Sequence, residues 1–582
     1  MRSSGVAAVA LATASLLAAP CAAKVDRLVS SRLSKRGLDS EGLYNVTILH
    51  TNDVHAHLDE WRAGRGTDCT EGSECIAGYA RIKDKINEIR KEVPDAIVLD
   101  DGDEFQGTLF FAYYGGEKIS YAVNEVGYDA LTLGNHEFDK GLDELTHFLG
   151  NLTFPVVCAN LKTNHTGMNA LKNWKPYTII ERHNVGIVGL LTPDTKGTSS
   201  GAGPGTDISD PAEALTAAVA ELEAKGVNRI IALTHIGYDK DIELAQKTRG
   251  IDLIVGGHSH TLIGDMEGAA GKYPTIAKNL DGEEVFIVTA YRWGEYLGKI
   301  SLAFDESGKA VKYEGEPIRL SNTTAQDSKL DGEVAEWRKP FDELAKKVVG
   351  KSDVVLDQST CQKQECTLGD VITDAMYEYR VAAGGKVDGA IINAGGIRAT
   401  ISQGDVTQGD VLNAFPFLNA VTDLTFTGAE LWDVFEGIAS ASSNVSKHEV
   451  TSFVQVSSTL QMTWNPSNPV GSRLIDFKVG GQTLDKSKTY TITAVDFLAT
   501  GGDYFWAPRT DFIALDTLDQ ILVAYFDKHN PVQAKVASRI VQTTATSPTT
   551  GGSDGTGAAS VRAALSTAGA VLAVCVAGVA LL

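Results

Sequence analysis

The sequence predicts an α/β protein built from two domains, and three observations carry that prediction. The chain has 582 residues, more than one hydrophobic core usually serves, so two domains of roughly 200–300 residues are expected. Between residues 44 and 305 short apolar, β-rich runs alternate with helical patterns, as in a layered fold with largely parallel strands. A second α/β unit follows over 351–543, and no repeat of fixed period links the two.

Taken in order, Met1-Arg2, the apolar run Gly5 to Ala19 and the small residues Cys21-Ala22-Ala23 read as a secretory signal over 1–23. Residues 24–43 then read as a pro-segment carrying the dibasic pair Lys35-Arg36, which a solvated basic pair explains equally well. VTILH (46–50), AIVLD (96–100), ALTLG (130–134), IIALT (230–234) and IDLIVGG (251–257) read as strands of a first domain placed at 44–320. Ile82, Ile86 and Ile89 recur at helical spacing in RIKDKINEIRKE, which puts a helix before the second run. A linker over 321–350 contains the charged amphipathic stretch 327–350, expected as a connecting helix with Gly350-Lys351-Ser352 as its hinge. Residues 544–582 are a polar stalk followed by the apolar tail Ala563 to Leu582, with nothing basic behind it. A spanning helix ordinarily carries a cytoplasmic Lys or Arg flank. Small residues at 553–557, a short spacer and a terminal apolar run instead fit a GPI-attachment signal, with a tail anchor or plain secretion as the alternatives.

Composition is globular, with 43% hydrophobic and 22% charged residues and a formal charge of −22. So acidic a chain is not built to bind a nucleic-acid polymer. If it handles a phosphate, local cations must attract it. Cys69 and Cys75 form one close pair and Cys361 and Cys366 another, and each pair can close a small disulfide loop in an oxidising compartment. Cys158, in FPVVCANL, is expected as a buried free thiol. Sequons at Asn45, Asn151, Asn164, Asn322 and Asn444 agree with a secreted route.

The strand-like runs of the first domain end in polar clusters that would be costly to bury without a purpose. HTNDVHAH supplies Asp53 and His55, DDGDEFQG supplies Asp103, and GNHEFD supplies Asn135, His136 and Asp139. LTHIG supplies His235, and GGHSH supplies His258 and His260. A solvated loop explains one Asn-His pair, but not five such clusters. Ligands collect outside the carboxyl ends of strands in α/β proteins. Oxygen and nitrogen donors without thiolate suit two divalent cations of the Zn, Mn or Fe type, rather than a structural cysteine site. Such a pair serves in-line phosphoryl displacement.

The ordered motifs D-x-H, G-D, G-N-H-[DE], a strand-end His and G-H-x-H resemble the calcineurin-like metallophosphoesterases. ILHTNDVHAH, LDDGDEFQGT, LGNHEFDKG, INAGGIR and FLATGGD narrow the resemblance to the 5'-nucleotidase family, over nearly all of 44–543. That resemblance implies a four-layer α/β/β/α metallophosphoesterase domain, followed by an α/β substrate-binding domain. It implies one metal held by Asp53, His55 and His260, a second held by Asn135, His235 and His258, and Asp103 bridging them. His136, oriented by Asp139, would donate to the phosphoryl oxygens or leaving group. In the second domain Phe417 and Phe497 match the aromatics that sandwich the base, and Asp503 matches the ribose ligand. Asn393 and Arg398 match contacts near base and phosphate, with Gly395 and Gly396 allowing close backbone approach. The implied activity is release of phosphate from a nucleoside monophosphate, using zinc, or manganese, magnesium or iron.

One position departs from the family pattern. Where an arginine usually follows the first cysteine of the small loop, CQKQEC has Gln362 and then Lys363. Cyclic 2',3'-phosphodiesters, UDP-sugars and nucleoside di- and triphosphates therefore stay open as substrates. A non-catalytic surface binding protein is the alternative of a different class, and the intact ligand set argues against it.

Overall fold

Along the strand Tyr44–Thr51 successive side chains enter two different cores. Tyr44, Val46 and Ile48 lie in one, while Leu49 lies in the other. The period of two makes a sheet buried on both faces. In this computed structural model, which describes residues 41–63, 67–69, 74–203, 205–509 and 512–544, that strand is central to a seven-stranded sheet. The order is Ala310–Arg319, Tyr296–Phe304, Tyr44–Thr51, Ile97–Asp100, Ala130–Thr132, Val156–Val157 and Trp174–Lys175. From Tyr44–Thr51 onward the pairings are parallel, and the first two strands form an antiparallel edge. A six-stranded sheet faces it, ordered Tyr177–Ile180, Val185–Leu191, Arg229–His235, Leu253–Gly256, Glu284–Val288 and Thr275–Lys278.

The two sheets share a core of Val46, Ile48, Ile97, Leu99, Ile187, Ile231, Leu233, Leu253 and Val255. Outside the first sheet, Leu49, Val98 and Leu131 pack on Ile82 and Ile86 of helix Tyr79–Glu92, Ile119 and Val123 of Glu117–Val126, and Leu145 and Phe148 of Gly141–Gly150. Outside the second, Val188, Leu190, Ile230 and Ile254 pack on Leu215 and Leu222 of Pro211–Ala224 and Leu244 of Tyr238–Lys247. The layering is α/β/β/α. Each such aliphatic side chain contributes about 1.5–3 kcal/mol when fully buried. Helix Pro211–Ala224 starts where its sequence requires: Asp210 accepts from the backbone N–H of Ala212 and Glu213 at 2.9 and 3.0 Å, and proline occupies the first turn.

The second domain holds a four-stranded sheet ordered Val421–Thr427, Thr489–Val495, Gly389–Asn393 and Val454–Val456, and a second one of Gln482–Thr483, Leu474–Val479, Leu460–Trp464 and Ile540–Gln542. Helices Thr367–Ala382, Gly428–Ser440 and Leu518–Lys528 cover them around a single core. Capping boxes start two of its helices, Thr407 with Asp410 and Thr427 with Glu430.

The connecting helix is Ser328–Ala345, capped by Asp327, with Leu330, Val334 and Phe341 buried in the first domain's helix-side core. The expected hinge is placed differently. Val348–Ser352 is a strand paired antiparallel with Gly404–Thr407, and Lys351 accepts from the backbone of Val532 at 2.8 Å. Gly350-Lys351-Ser352 is therefore ladder-bound backbone of the second domain, and Lys346-Lys347 make the join. Cys69 is disulfide-bonded to Cys75 and Cys361 to Cys366. Cys158 is free and buried, and burial pushes its thiol up to about 12. The signal sequence, the Lys35-Arg36 pair and the apolar tail lie outside the described residues. Among the described residues no helix is long and apolar enough to cross a membrane.

Candidate metal centre and substrate cleft

The strands Tyr44–Thr51, Ile97–Asp100 and Ala130–Thr132 of one sheet, and Arg229–His235 and Leu253–Gly256 of the other, deliver their polar ends to one place. The turns that follow them are sharp. Asp53, His55, Asp103, His258 and His260 have φ of 52°, 51°, 57°, 83° and 48°. Left-handed backbone at a residue with a side chain costs on the order of 1–3 kcal/mol, and such strain concentrates at functional sites. The loops brace each other, with Asp53 N–H donating to Gly102 and His55 N–H to Asp103, both at 2.9 Å.

Two clusters result. One atom each from Asp53, His55 and His260 lie within 4.8 Å of one another, as do atoms of Asp103, His235 and His258. Asp103 spans them: its Oδ2 is 3.1 Å from His235 Nε2 and 3.7 Å from His55 Nε2. Asp53 Oδ1 lies 3.2 Å from His260 Nε2. Two imidazoles are held from behind, because His55 Nδ1 donates to Phe105 O at 3.0 Å and His235 Nδ1 to Asp101 O at 2.7 Å. Each Nε2 is thereby left as the atom that faces the centre. Asn135 is 2% exposed, and its Oδ1 has no hydrogen-bond partner among the described residues. A buried orphan acceptor beside two carboxylates and four imidazoles is what a cation site needs, so the donor set fits a pair of divalent metals.

Charge runs with this geometry. Burial would raise Asp103, but the imidazoles of His235 and His136 outweigh it and hold the carboxyl well below its usual range. Burial and the neighbouring His235 push His258 down to about 4. His136 sits in a short turn, His136–Phe138, with Nδ1 2.7 Å from Asp139 Oδ2 and its backbone N–H donating to Asp103 Oδ1 at 2.9 Å. Burial lowers this histidine, yet Asp139 and Asp103 more than offset that and keep it above its ordinary value.

Two residues that hold the ligands escaped the sequence reading. The buried Glu137 accepts four backbone N–H groups: Asp103 at 3.0 Å, Glu104 at 2.7 Å, Phe105 at 3.1 Å and Gly134 at 2.5 Å. It shapes the Asp103 loop. Asn52 donates to Asp53 Oδ2 at 2.6 Å and to Tyr291 O at 2.8 Å, and accepts from Ala290 N–H at 2.7 Å. The signal for Glu137 was present in GNHE, next to a glycine whose Cβ would fall 2.1 Å from Asp103 Oδ1.

The second domain closes over this centre. Arg398 Nη2 donates toward His55 Nε2 at 3.4 Å, and the Phe417 ring lies 5.7 Å from that of His136. His55, His57, Gly107 and Trp293 line a cavity together with Arg398, Ala399 and Asn413. Tyr504 packs on Gly197 of the first domain, where a Cβ would stand 2.2 Å from its ring. Asn393 Nδ2 donates to Asp503 Oδ2 and Thr451 Oγ1 to Asp503 Oδ1, both at 2.7 Å, so the expected ribose ligand is tied up within its own domain. The Phe497 ring packs against Gly502. Phe417 and Phe497 make no ring contact with each other among the described residues. Gly396 lies under Asn393, a Cβ there coming within 3.0 Å of its Oδ1, whereas at Gly395 the nearest atom would be an ordinary 3.4 Å away. Gln362 Oε1 accepts from Phe453 N–H at 3.2 Å, which places the CQKQEC loop beside Gly395.

Residues 46–262 match the model of the calcineurin-like phosphoesterase family, and residues 348–509 match the 5'-nucleotidase C-terminal domain. The chain is 33% identical to the 5'-nucleotidase of Mus musculus over 555 residues, 90% of this chain and 95% of that one. The chain belongs to the 5'-nucleotidase family. It is 34% identical to the snake venom 5'-nucleotidase of Naja atra over 81% of its own length and 93% of that protein. The crystal structure of a 5'-nucleotidase precursor from Thermus thermophilus superposes with a TM-score of 0.79 at 32% identity, covering 86% of this chain and all of that one. Family membership makes the protein a metal-dependent phosphoester hydrolase of two domains.

Proposed function

We propose that the protein is a 5'-nucleotidase of the secretory pathway, which takes nucleoside 5'-monophosphate and water to nucleoside and phosphate. Asp53, His55 and His260 would hold one cation, Asn135, His235 and His258 the other, and Asp103 would serve both. The observation that supports this most is the meeting of those two clusters at Asp103, with the unpaired Asn135 beside them. Mixed imidazole and carboxylate donors favour zinc, with manganese, magnesium or iron as the alternatives. The bound pair supplies Lewis acidity at the phosphoryl group and a lowered pKa for the attacking water.

The chain's own residues do the rest. His136, held by Asp139 and kept above its ordinary pKa, donates to the developing oxyanion. Arg398 meets the phosphate from the second domain. Phe417 and Phe497 take the two faces of the base once it parts Phe417 from His136, and Asn393 and Asp503 meet the sugar side. The first domain is taken as 44–320, the linker as 321–347 rather than to 350, and the second domain as 348–543, because the strand Val348–Ser352 pairs within it. Export is supported by the two disulfides and by the exposure of all five sequon asparagines, Asn45, Asn151, Asn164, Asn322 and Asn444. The anchor is a GPI group added near 553–557, on the extracellular face of the plasma membrane.

The test is phosphate release from AMP, ATP, UDP-glucose, 2',3'-cyclic AMP and p-nitrophenyl phosphate. AMP is expected to give the highest kcat/KM. A clear preference for a cyclic diester or UDP-glucose would replace the substrate assignment, and no release from any of them would leave the binding-protein reading.

Gln362 provides a second expectation. Gln362→Arg adds a forked cation beside Gly395 and removes the acceptor for Phe453 N–H. KM for AMP should fall about tenfold, since a charge-assisted forked contact is worth roughly 1–3 kcal/mol. Unchanged KM in a folded variant would take the loop out of the site.

A further inference from the structure

Arg292 stands out among the cations near the centre because no carboxylate among the described residues pairs with it. Its guanidinium carbon lies over the Trp293 ring, 4.0 Å from the centroid, and 5.2 Å from that of Tyr291. Its Nε is buried with no hydrogen-bond partner, and it makes no ion pair among the described residues. A chain with 74 acidic residues and 52 Lys and Arg has no shortage of carboxylates to offer. A buried donor without an acceptor is destabilising unless a bound ligand or water meets it.

The backbone around it is held on purpose. Tyr291 and Trp293, on either side, both have left-handed φ, 68° and 56°. Each is tied to the metal-ligand loop: Asn52 Nδ2 donates to Tyr291 O at 2.8 Å, and Trp293 N–H donates to Asp53 O at 2.7 Å. Two strained residues pinned to the strand end that carries Asp53 fix the backbone position of Arg292 beside the metal-ligand loop. Trp293 itself lines the cavity shared with His55, His57 and Arg398, and stacks on His57 at 4.9 Å. Arg398 lines that cavity directly, and Arg292 lies over the Trp293 ring that forms part of its wall. Packing on Trp293 alone would explain the stacking, but neither the unpaired Nε nor the strained flanks.

We propose that Arg292 is a phosphate-binding residue of the cleft: with Arg398 it takes the non-bridging oxygens of the phosphoryl group over the Asp53–His55–His260 cluster, supplying the positive charge that position 362 lacks. The inference rests on the phosphohydrolase reading of the site. A planar fork pre-set on an aromatic face suits a tetrahedral oxyanion better than a point charge does.

The experiment is calorimetric titration of inorganic phosphate into the metal-loaded full chain, comparing wild type with Arg292→Gln and Arg292→Lys, alongside KM and kcat for AMP. Arg292→Gln should weaken phosphate binding and raise KM by about tenfold or more, with kcat within about threefold and metal content unchanged. Arg292→Lys keeps the charge without the fork and should fall between. Wild-type phosphate affinity in the folded, metal-loaded Gln variant overturns the proposal. If the Gln variant loses metal, the Lys variant decides: severalfold weaker phosphate binding supports the assignment and wild-type affinity refutes it. A wild type that binds phosphate yet hydrolyses no nucleotide would sink the proposed function, while the phosphate titration would still report on Arg292.

Discussion

Asp103→Asn is expected to empty the metal centre and abolish turnover, whereas His136→Ala should keep its metals and lose turnover by roughly 10²-fold or more. The two residues touch, since His136 N–H donates to Asp103 Oδ1 at 2.9 Å, yet their proposed roles differ. Asp103 reaches histidines of both clusters, so an amide there weakens both cations at once. His136 directs its ring nitrogen to Asp139 and belongs to neither cluster. Its loss removes a donor to the transition state and no ligand. Metal analysis of the purified variants separates them. Depletion of metal in His136→Ala would make that histidine a ligand and overturn the assignment.

Glu137→Gln is expected to be the most destabilising conservative change in the first domain, lowering unfolding free energy by about 2–4 kcal/mol. Its carboxylate accepts four backbone N–H groups in the Asp103 and Gly134 turns. A hydrogen bond to a charged group contributes about 1.5–3 kcal/mol, and an amide nitrogen turned toward two of those donors leaves them unpaired in the interior. Burial and the nearby Asp103 push Glu137 up to about 7, so its ionised form is already costly, which keeps the expected loss below four full bonds. Urea denaturation of the metal-loaded pair reads the difference. Equal midpoints would mean that the turn holds its shape without this carboxylate.

The site was legible in the sequence because α/β topology turns order along the chain into proximity. VTILH, AIVLD, ALTLG, IIALT and IDLIVGG overlap strands Tyr44–Thr51, Ile97–Asp100, Ala130–Thr132, Arg229–His235 and Leu253–Gly256, and the polar residues after them converge. What stayed hidden depends on contacts distant in sequence. VGIVGLL, the strand Val185–Leu191, is buried at every position and so shows no alternation to read. The edge strands Tyr296–Phe304 and Ala310–Arg319 pair antiparallel in a sheet whose other neighbours run parallel. Val348–Ser352 reads in the sequence as a helix end running into a hinge because its partner strand, Gly404–Thr407, lies some fifty residues on. Glu137 stands in GNHE, but its four backbone donors come from the Asp103 and Gly134 turns and cannot be read from that motif alone.

The central claim, a two-metal nucleotide phosphohydrolase, is tested most directly by removing the metals and titrating them back. The full chain is stripped by a chelator, zinc or manganese is returned stepwise, and adenosine and phosphate released from AMP are measured against bound metal. No activity is expected without metal, and full recovery is expected as the second cation per chain is bound. Undiminished AMP hydrolysis by the metal-free protein, or two bound cations with no phosphate released from any nucleotide, would contradict it.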